Sequence, residues 1–282
     1  MSSVFNQPWL INEQMFDVIE AVIASELAGQ TRPVPQRRAS MEPRPVNNVD
    51  IIPVIGVISP RINLLDEISG GTSMEKVQEQ FDAALANPDT VAVLFLFDSP
   101  GGNAKGVFEM ADRIWHARQS QSKLILGHVE GQADSAAYLL ASQCDELTAT
   151  SGSTIGSIGA FAKFVSRDRQ DKNAGIESVV IRSDPMKGIG ADVLTNEQRA
   201  YLQQRINDMG RLFQSYVMRA RPGAKLADAG AKQFMATVPD GAELPSAMDL
   251  GLLDRVATLG EVLYRFAFAS RELVLDSRPF LG

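Results

Sequence analysis

The feature that most constrains the fold of this chain is an uninterrupted run of seven apolar residues, Val91–Phe97. A strand without alternation of apolar and polar residues is typical of a strand covered on both faces, as in parallel sheets. Strand and helix patterns alternate around it. Strands are predicted at 51–58, 91–97, 124–129, 146–150 and 178–181, and helices at 74–85, 107–118 and 135–143. This alternation indicates crossover connections, and therefore an α/β fold with a mostly parallel sheet.

Two further segments flank this region as appendages. Residues 7–28 have the apolar spacing of a helix, and residues 30–49 contain four prolines and four arginines, a composition typical of an extended linker. We therefore expect residues 1–49 to form a helix and a linker that are poorly ordered or pack away from the core. The main domain is predicted at 50–270, and it is followed by a tail at 271–282.

A long amphipathic helix is predicted at 196–219. Its apolar residues recur at helical spacing and form one stripe: Leu202, Ile206, Met209, Phe213 and Tyr216. A final apolar helix near the C-terminus contains Val262, Leu263, Phe266 and Phe268. These two helices offer more apolar surface than one domain needs, so we expect a homo-oligomer.

Composition excludes several classes of function. The 282-residue chain has a net charge of -7 and a pI near 5.0, which argues against nucleic acid as the main partner. No apolar run reaches the ~18 residues that span a bilayer. Acidic residues interrupt the N-terminal segment where a secretory signal would lie, so we expect no membrane partner. The single cysteine, Cys144, excludes an internal disulfide and is interpreted as a buried apolar residue in a reducing compartment.

A serine at a helix start and a pair of glycines after a buried strand are the candidate reactive groups. Ser135 opens a predicted helix, and Gly101 and Gly102 follow the strand at 91–97. Glycine lets a bare backbone N–H approach a substrate carbonyl closely, and the N–H of Ala136 lies at the helix start. A serine hydrolase needs such a nucleophile and such donors for the oxyanion. The sequence does not distinguish which of the two glycines donates.

The serine also needs a base. Both histidines of the chain, His116 and His128, precede Ser135, and no Gly-x-Ser-x-Gly surrounds it, so the pattern of an α/β-hydrolase is not met. A lysine serves instead when it is neutral. Lys187 is the candidate because it lies 52 residues after Ser135 in a glycine-rich loop. Without other signals, an isolated lysine is more often a solvated surface residue than a catalytic base.

Together these segments resemble peptidase family S49, the signal-peptide-peptidase-A-like serine proteases. The matching motifs occur in family order across residues 50–260. They are Asp98-Ser99-Pro100-Gly101-Gly102, the Ser135 segment, Gly156-Ser157-Ile158-Gly159, Lys187 and Gly251-Leu252-Leu253-Asp254. The N-terminal segment and the helix opening at 194–197 are similar to the phage head maturation proteases of this family. Each motif is weak alone, and their common order makes the resemblance specific.

The resemblance implies a ClpP/crotonase-type superhelix of ββα units. It implies Ser135 as nucleophile and Lys187 as general base, with an oxyanion hole formed by Ala136 and either Gly101 or Gly102. No metal or cofactor is implied. The substrates would be polypeptides, namely scaffold, portal or capsid proteins, cleaved in the host cytoplasm or the prohead. Related folds form rings, which agrees with the expected homo-oligomer.

One departure from the family pattern is local. Bacterial members usually have two glycines after the serine, whereas this chain has Ala136 and Ala137, which narrow the pocket.

The alternative functions are a cytoplasmic S49 peptidase that degrades peptides, an acyl-CoA enzyme of the crotonase superfamily, and a non-catalytic scaffold-binding protein. The pair of Ser135 and Lys187 disfavours the last two. The arginine-rich linker and the lack of a membrane anchor favour the role of a phage head maturation protease over that of a cytoplasmic peptidase.

Overall fold

The computed structural model describes residues 9–11, 45–46, 48–61, 71–164, 168–177, 179–190 and 193–266. The larger of its two sheets contains β2 (Pro45–Val46), β3 (Val49–Ile55), β6 (Ala92–Ser99), β8 (Leu124–Asp134), β9 (Glu146–Ala149), β10 (Thr154–Gly156), β11 (Gln233–Met235) and β12 (Arg255–Val256). Its strand order is β11-β10-β8-β6-β3-β2, with β9 paired to β8 and β12 paired to β9.

The smaller sheet contains β1 (Trp9–Ile11), β4 (Ile58–Ser59), β5 (Thr72–Ser73) and β7 (Gly101–Asn103), in the order β1-β7-β4-β5. The helices are α1 (Met74–Ala86), α2 (Val107–Ser120), α3 (Ala136–Ala141), α4 (Asp168–Asn173), α5 (Asn196–Ala220), α6 (Leu226–Ala229) and α7 (Leu259–Tyr264). None of the helices in the described ranges combines the length and the apolar character needed to cross a bilayer.

Strand β6 lies at the centre of the larger sheet. It is parallel to β3 on one side and to β8 on the other, and every residue of it except Asp98 is buried. On one face Phe95 contacts Phe81 of α1, with ring centroids 5.3 Å apart. Burial of each such aromatic side chain stabilises the fold by about 2 kcal/mol. The apolar run at 91–97 therefore forms the doubly covered strand that its pattern predicts.

Two chain segments pass in the same way from the larger sheet to the smaller one. Strand β3 is followed by β4, and β6 is followed by β7, before helices α1 and α2 respectively. The pairs that β8 makes with β6, β9 and β10 are all parallel, and the antiparallel strands β2 and β11 lie at the ends of the strand order. The predicted α/β fold of ββα units with a mostly parallel sheet is confirmed. This connectivity places β7 beside the start of α3.

Two predictions of local structure are wrong. A strand was expected at 178–181, but residues 179–181 have no regular structure and the side chains of Val179 and Ile181 are 73% and 93% exposed. A helix was expected from residue 7, but Trp9–Ile11 form a strand and are buried. These three residues also do not pack away from the core, because β1 pairs with β7. At Trp9–Ile11 the pairing with β7 outweighs local preference, whereas residues 179–181 lack the covering contacts that a strand of apolar residues needs.

Several other expectations lie outside the described residues. They concern the remainder of the helix at 7–28, most of the linker at 30–49, the tail at 271–282 and Phe268. The long helix at 196–219 is confirmed as α5, which begins with a capping box between Thr195 and Gln198. Of the five residues in its stripe, only Phe213 is fully buried. Tyr201, Leu212 and Met218 on the same helix are exposed.

Candidate active site

Ser135 lies at a strained turn between β8 and α3. Its φ is 53° and its ψ is -116°, a positive φ that a side-chain-bearing residue rarely adopts. Two hydrogen bonds hold the turn. The N–H of Ser135 donates to the Gly156 carbonyl at 2.8 Å, and its carbonyl accepts from the Leu139 N–H at 2.9 Å. A serine held in this way at a strand-to-helix turn has its hydroxyl oriented by the backbone, as nucleophilic serines require.

The glycines of the Pro-Gly-Gly turn pack directly against this serine. A Cβ atom added to Gly101 would lie 3.0 Å from the Cβ of Ser135 and 2.9 Å from the Asp134 carbonyl oxygen. A Cβ added to Gly102 would lie 2.0 Å from the carbonyl oxygen of Ile58 in β4. No side chain fits at either position. The structure thus brings together three of the sequence-predicted elements, the serine, the glycine pair and Ala136, which follows the serine.

The Gly156–Gly159 motif supports the serine from the neighbouring strand. Gly156 in β10 is in register with Asp134 in β8, and it supplies the carbonyl that accepts the Ser135 N–H. Gly156 has a φ of 133°, and a Cβ there would lie 2.5 Å from the Lys232 carbonyl oxygen. The motif therefore allows β10, the end of β8 and the segment at Lys232 to pack closely together next to Ser135.

Sequence reasoning missed one polar pair next to the serine. Asp134 is fully buried, and its Oδ2 accepts a hydrogen bond of 2.5 Å from the Nε2 of Gln233 in β11. A buried carboxylate needs such donors to remain stable in the protein interior. The pair ties the residue before the nucleophile to β11. The two residues are 99 positions apart, and no local pattern around Gln233 indicates it.

Neither histidine is placed to act on Ser135. His128 lies in β8, seven residues before Ser135, which follows the end of that strand. It is fully buried, and its Nδ1 lies 2.7 Å from the Oγ1 of Thr148. Burial lowers the pKa of His128 to about 4, so it is neutral at pH 7. His116 lies on an exposed face of α2.

No hydrogen bond joins Lys187 to the hydroxyl of Ser135 among the described residues. Lys187 lies in an exposed turn, where its N–H donates to the Asp184 carbonyl at 2.9 Å. Ser135 is 1% exposed, and its Oγ has no hydrogen-bond partner within the part of the chain that the structure describes. The segment that carries the lysine has exposed apolar side chains at Ile176, Val179 and Ile181.

Cys144 is buried, and burial raises the pKa of its thiol to about 12. A thiol that stays protonated is not a nucleophile at neutral pH, so the interpretation of Cys144 as a buried apolar residue is confirmed. Over the described ranges no group of three or more His, Cys, Asp and Glu side chains is arranged to hold a metal ion.

Comparison with known families adds to this geometry. The sequence model described as peptidase family S49 matches residues 117–270, which is more than half of the chain. The chain belongs to peptidase family S49. This confirms the family that the motifs resemble.

Curated relatives include phage proteins. The head-tail preconnector protein GP5 of Enterobacteria phage P21 is 30% identical over 236 residues, which cover 76% of this chain and 47% of that protein. The capsid assembly protease C of Escherichia phage lambda is 28% identical over 170 residues, or 60% of this chain and 38% of that protein. This chain thus spans less than half the length of either relative.

Solved structures of similar architecture are distant in sequence. An enoyl-CoA hydratase from Thermoplasma volcanium is 16% identical, and the match covers 83% of this chain and 79% of that one with a TM-score of 0.41. A peptidase from Plasmodium falciparum is 13% identical, and its match covers 74% of this chain and 95% of that one with a TM-score of 0.43.

Proposed function

We propose that this protein is a serine endopeptidase in which Ser135 is the nucleophile and Lys187 the general base. The observation that carries the proposal is the strained turn of Ser135, packed against Gly101, in a chain of a peptidase family. We assign the peptidase domain to residues 50–270, with 1–49 as an N-terminal appendage and 271–282 as a tail.

The proposed reaction follows the chemistry of these groups. The Oγ of Ser135 attacks the substrate carbonyl carbon while its proton passes to the neutral amine of Lys187. The resulting oxyanion accepts hydrogen bonds from the N–H of Ala136 and from a glycine N–H of the Gly101–Gly102 pair. The lysine then protonates the leaving amine, and the C–N bond breaks. Water, deprotonated by the same lysine, hydrolyses the acyl-serine ester and restores the hydroxyl.

The dyad requires Lys187 to reach Ser135, and the exposure of its segment supports a rearrangement on assembly. Ile176, Val179 and Ile181 are exposed apolar side chains of the kind that pack against a second subunit or a bound chain. In a homo-oligomer this segment would be buried, and the lysine would reach the serine of its own subunit or of a neighbour. Mixing the inactive Ser135→Ala and Lys187→Ala proteins tests this. Recovered activity would support a dyad whose serine and lysine come from different subunits.

The relatives favour phage capsid proteins as substrates. One relative is named a capsid assembly protease and another a head-tail preconnector protein. We therefore propose that the protein cleaves scaffold, portal or capsid proteins in the prohead or the host cytoplasm. A peptidase that degrades peptides in the host is the alternative within the same family.

The decisive experiment incubates the protein with its cognate scaffold and portal proteins, and follows discrete fragments by mass spectrometry. The wild type is expected to produce defined cuts, and Ser135→Ala none. Ser153→Ala is the matched control, because Ser153 is a buried serine whose hydroxyl bonds to Thr150, Val129 and Gly131 rather than to Ser135 or the two glycines. Degradation of unrelated unfolded proteins at the same rate as scaffold would favour the peptide-degrading alternative.

A further inference from the structure

The N-terminal strand β1 lies beside Ser135, between two segments of the candidate site. On one side it pairs antiparallel with β7, with Leu10 opposite Gly102 and Ile11 opposite Gly101. On the other side Trp9 exchanges two backbone hydrogen bonds with Phe161, of 2.9 and 3.1 Å. Each residue of β1 is at most 4% exposed. A three-residue strand is thus held on both edges inside the site.

The backbone of β1 presents the Leu10 carbonyl to the serine and the glycines. Because the N–H and C=O of Trp9 bond to Phe161, alternation along the strand turns those of Leu10 toward β7. A Cβ added to Gly101 would lie 2.2 Å from the Leu10 carbonyl oxygen and 3.0 Å from the Cβ of Ser135. The Leu10 carbonyl oxygen and the Ser135 side chain therefore both lie against the same side of Gly101. The N–H of Gly101 donates to the Oγ of Ser99 at 3.2 Å, so Gly102, opposite Leu10, is the glycine whose N–H faces this carbonyl.

A substrate chain would need the position beside β7 that β1 now occupies. Extended peptides are often bound by adding a strand to the exposed edge of a sheet, where the backbone supplies affinity and side-chain pockets supply specificity. In the strand order β1-β7-β4-β5, β7 would be the edge if β1 were absent. It is the strand that contains both glycines next to Ser135. A peptide cleaved by Ser135 must place its scissile carbonyl beside the same serine and glycine that the Leu10 carbonyl now flanks.

We propose that Trp9–Ile11 is an intramolecular occupant of the substrate cleft, which a substrate must displace before it pairs with β7. The segment is placed as the acyl side of a substrate, with Leu10 at the residue whose carbonyl faces Ser135. The Leu10 side chain is fully buried in the main apolar cluster, so the cleft selects an extended polypeptide with an apolar residue at that position. This inference rests on the proposed peptidase function of the same site.

A reversible lock tests the occupancy in the full-length protein. Trp9 and Phe161 form a hydrogen-bonded antiparallel pair, and the Cα atoms of such pairs lie about 5.5 Å apart, within the range that a disulfide spans. The double variant Trp9→Cys/Phe161→Cys is oxidised to fix β1 in the cleft and reduced to free it. Buried Cys144 with its raised pKa does not compete for the disulfide. Each single cysteine variant is the matched control.

The readouts are labelling of Ser135 by a fluorophosphonate probe and hydrolysis of fluorescent casein. We expect the oxidised double variant to react at least about tenfold more slowly than the same protein after reduction, because occupancy lowers the fraction of competent sites. The single variants should not respond to the oxidant. Equal rates in the oxidised and reduced forms would overturn the proposal. A new N-terminus at Ile11 in the wild type would support it, since that cut requires Leu10 in the cleft.

A binding measurement separates this proposal from the peptidase function. A fluorescent peptide of residues 5–14 is titrated into Leu10→Ala protein, whose strand is weakened, and into the oxidised lock. We expect the peptide to bind Leu10→Ala at least about tenfold more tightly than the lock. Binding with this difference but without casein hydrolysis in any form would refute the peptidase and retain the occupancy. Equal binding to both proteins would refute the occupancy.

Discussion

The backbone N–H of Ser135 donates to the carbonyl of Gly156, which joins the candidate nucleophile to a glycine-rich turn on the neighbouring strand. Because Ser135 has a positive φ, its conformation costs about 1–3 kcal/mol relative to a relaxed backbone. The bond to Gly156 and the burial of all of α3 hold it there. The fold thus stores strain at the one serine that the site would use.

The first prediction concerns the dyad. Ser135→Ala and Lys187→Ala are each expected to lower the rate of cleavage by at least about a thousandfold, because nucleophile and base act as a unit. Lys187→Arg should be equally inactive, since a guanidinium does not lose its proton. Rates are measured with fluorescent casein, and circular dichroism verifies folding. His116→Ala is the control and should keep its activity. Near-normal cleavage by Lys187→Ala would exclude the lysine mechanism.

Gly101→Ala is expected to inactivate the site and destabilise the domain. Gly101 has a φ of 97°, and the added Cβ would approach the Leu10 oxygen to 2.2 Å. The backbone conformation alone accounts for about 1–3 kcal/mol of lost stability. Urea unfolding measures this loss. Gly152→Ala is the matched control, because a Cβ there meets nothing within 4 Å. An unchanged midpoint for Gly101→Ala would contradict the close packing around Ser135.

The third prediction assigns a structural role to the Gly251–Asp254 motif. Asp254 accepts two hydrogen bonds of 2.9 Å from buried Arg221 and one of 2.7 Å from the Leu147 N–H. Burial alone would raise the pKa of Asp254, but the bonds from Arg221 outweigh it and lower the pKa below its ordinary value.

Asp254→Asn should therefore destabilise the domain by about 1–2 kcal/mol at pH 7, because it leaves the buried Arg221 charge without its partner, while solvent at the 42% exposed Asp254 side chain screens part of the loss. The measurement is the free energy of unfolding in urea. Since the folded pKa of Asp254 is lowered, the ion pair's contribution is present above the unfolded pKa and is lost as the pH falls through the folded value. Asp240→Asn on the exposed surface is the control. A difference that persists unchanged at pH 2 would argue against the ion pair.

His128 is expected to make the domain sensitive to mild acid. Its folded pKa is about 4, below the ordinary value near 6.5, so only the unfolded chain takes up a proton between these values. Stability should fall from pH 7.5 to pH 5 by about 2 kcal/mol on this account. In His128→Asn that share of the pH dependence should disappear, while exposed His116→Asn should retain it. Urea unfolding at the two pH values measures both.

The last prediction concerns assembly. The protein is expected to be a homo-oligomer, and the exposed side chain of Ile181 is expected to lie at a subunit contact. Ile181→Glu should shift the species measured by light scattering at micromolar concentration toward the monomer and lower activity in parallel. Leu244→Glu, at another exposed apolar residue, is the control. A monomeric wild type would contradict this prediction.

The sequence by itself determined the features that depend on local pattern. An unbroken apolar run predicts a doubly covered strand, and its alternation with helices predicts the parallel α/β architecture, because side-chain periodicity reflects which faces are buried. Ser135 and the two glycines could also be predicted, since few residue types permit a nucleophile or a side-chain-free turn. Residues 179–181 were wrongly predicted as part of a strand, because a short apolar segment does not show whether anything covers it.

Only the tertiary structure decided what meets at the serine. The strand at Trp9–Ile11 exists because β7 and Phe161, some 90 and 150 residues away, offer it hydrogen bonds on both edges. The bond from Gln233 to Asp134 and the fit of Gly101 against Ser135 likewise join distant segments. Three residues are too few to show a period, and hydrogen bonds between distant strands leave no local pattern. Contacts of this kind follow from the way the two sheets meet, and no window of neighbouring residues contains that information.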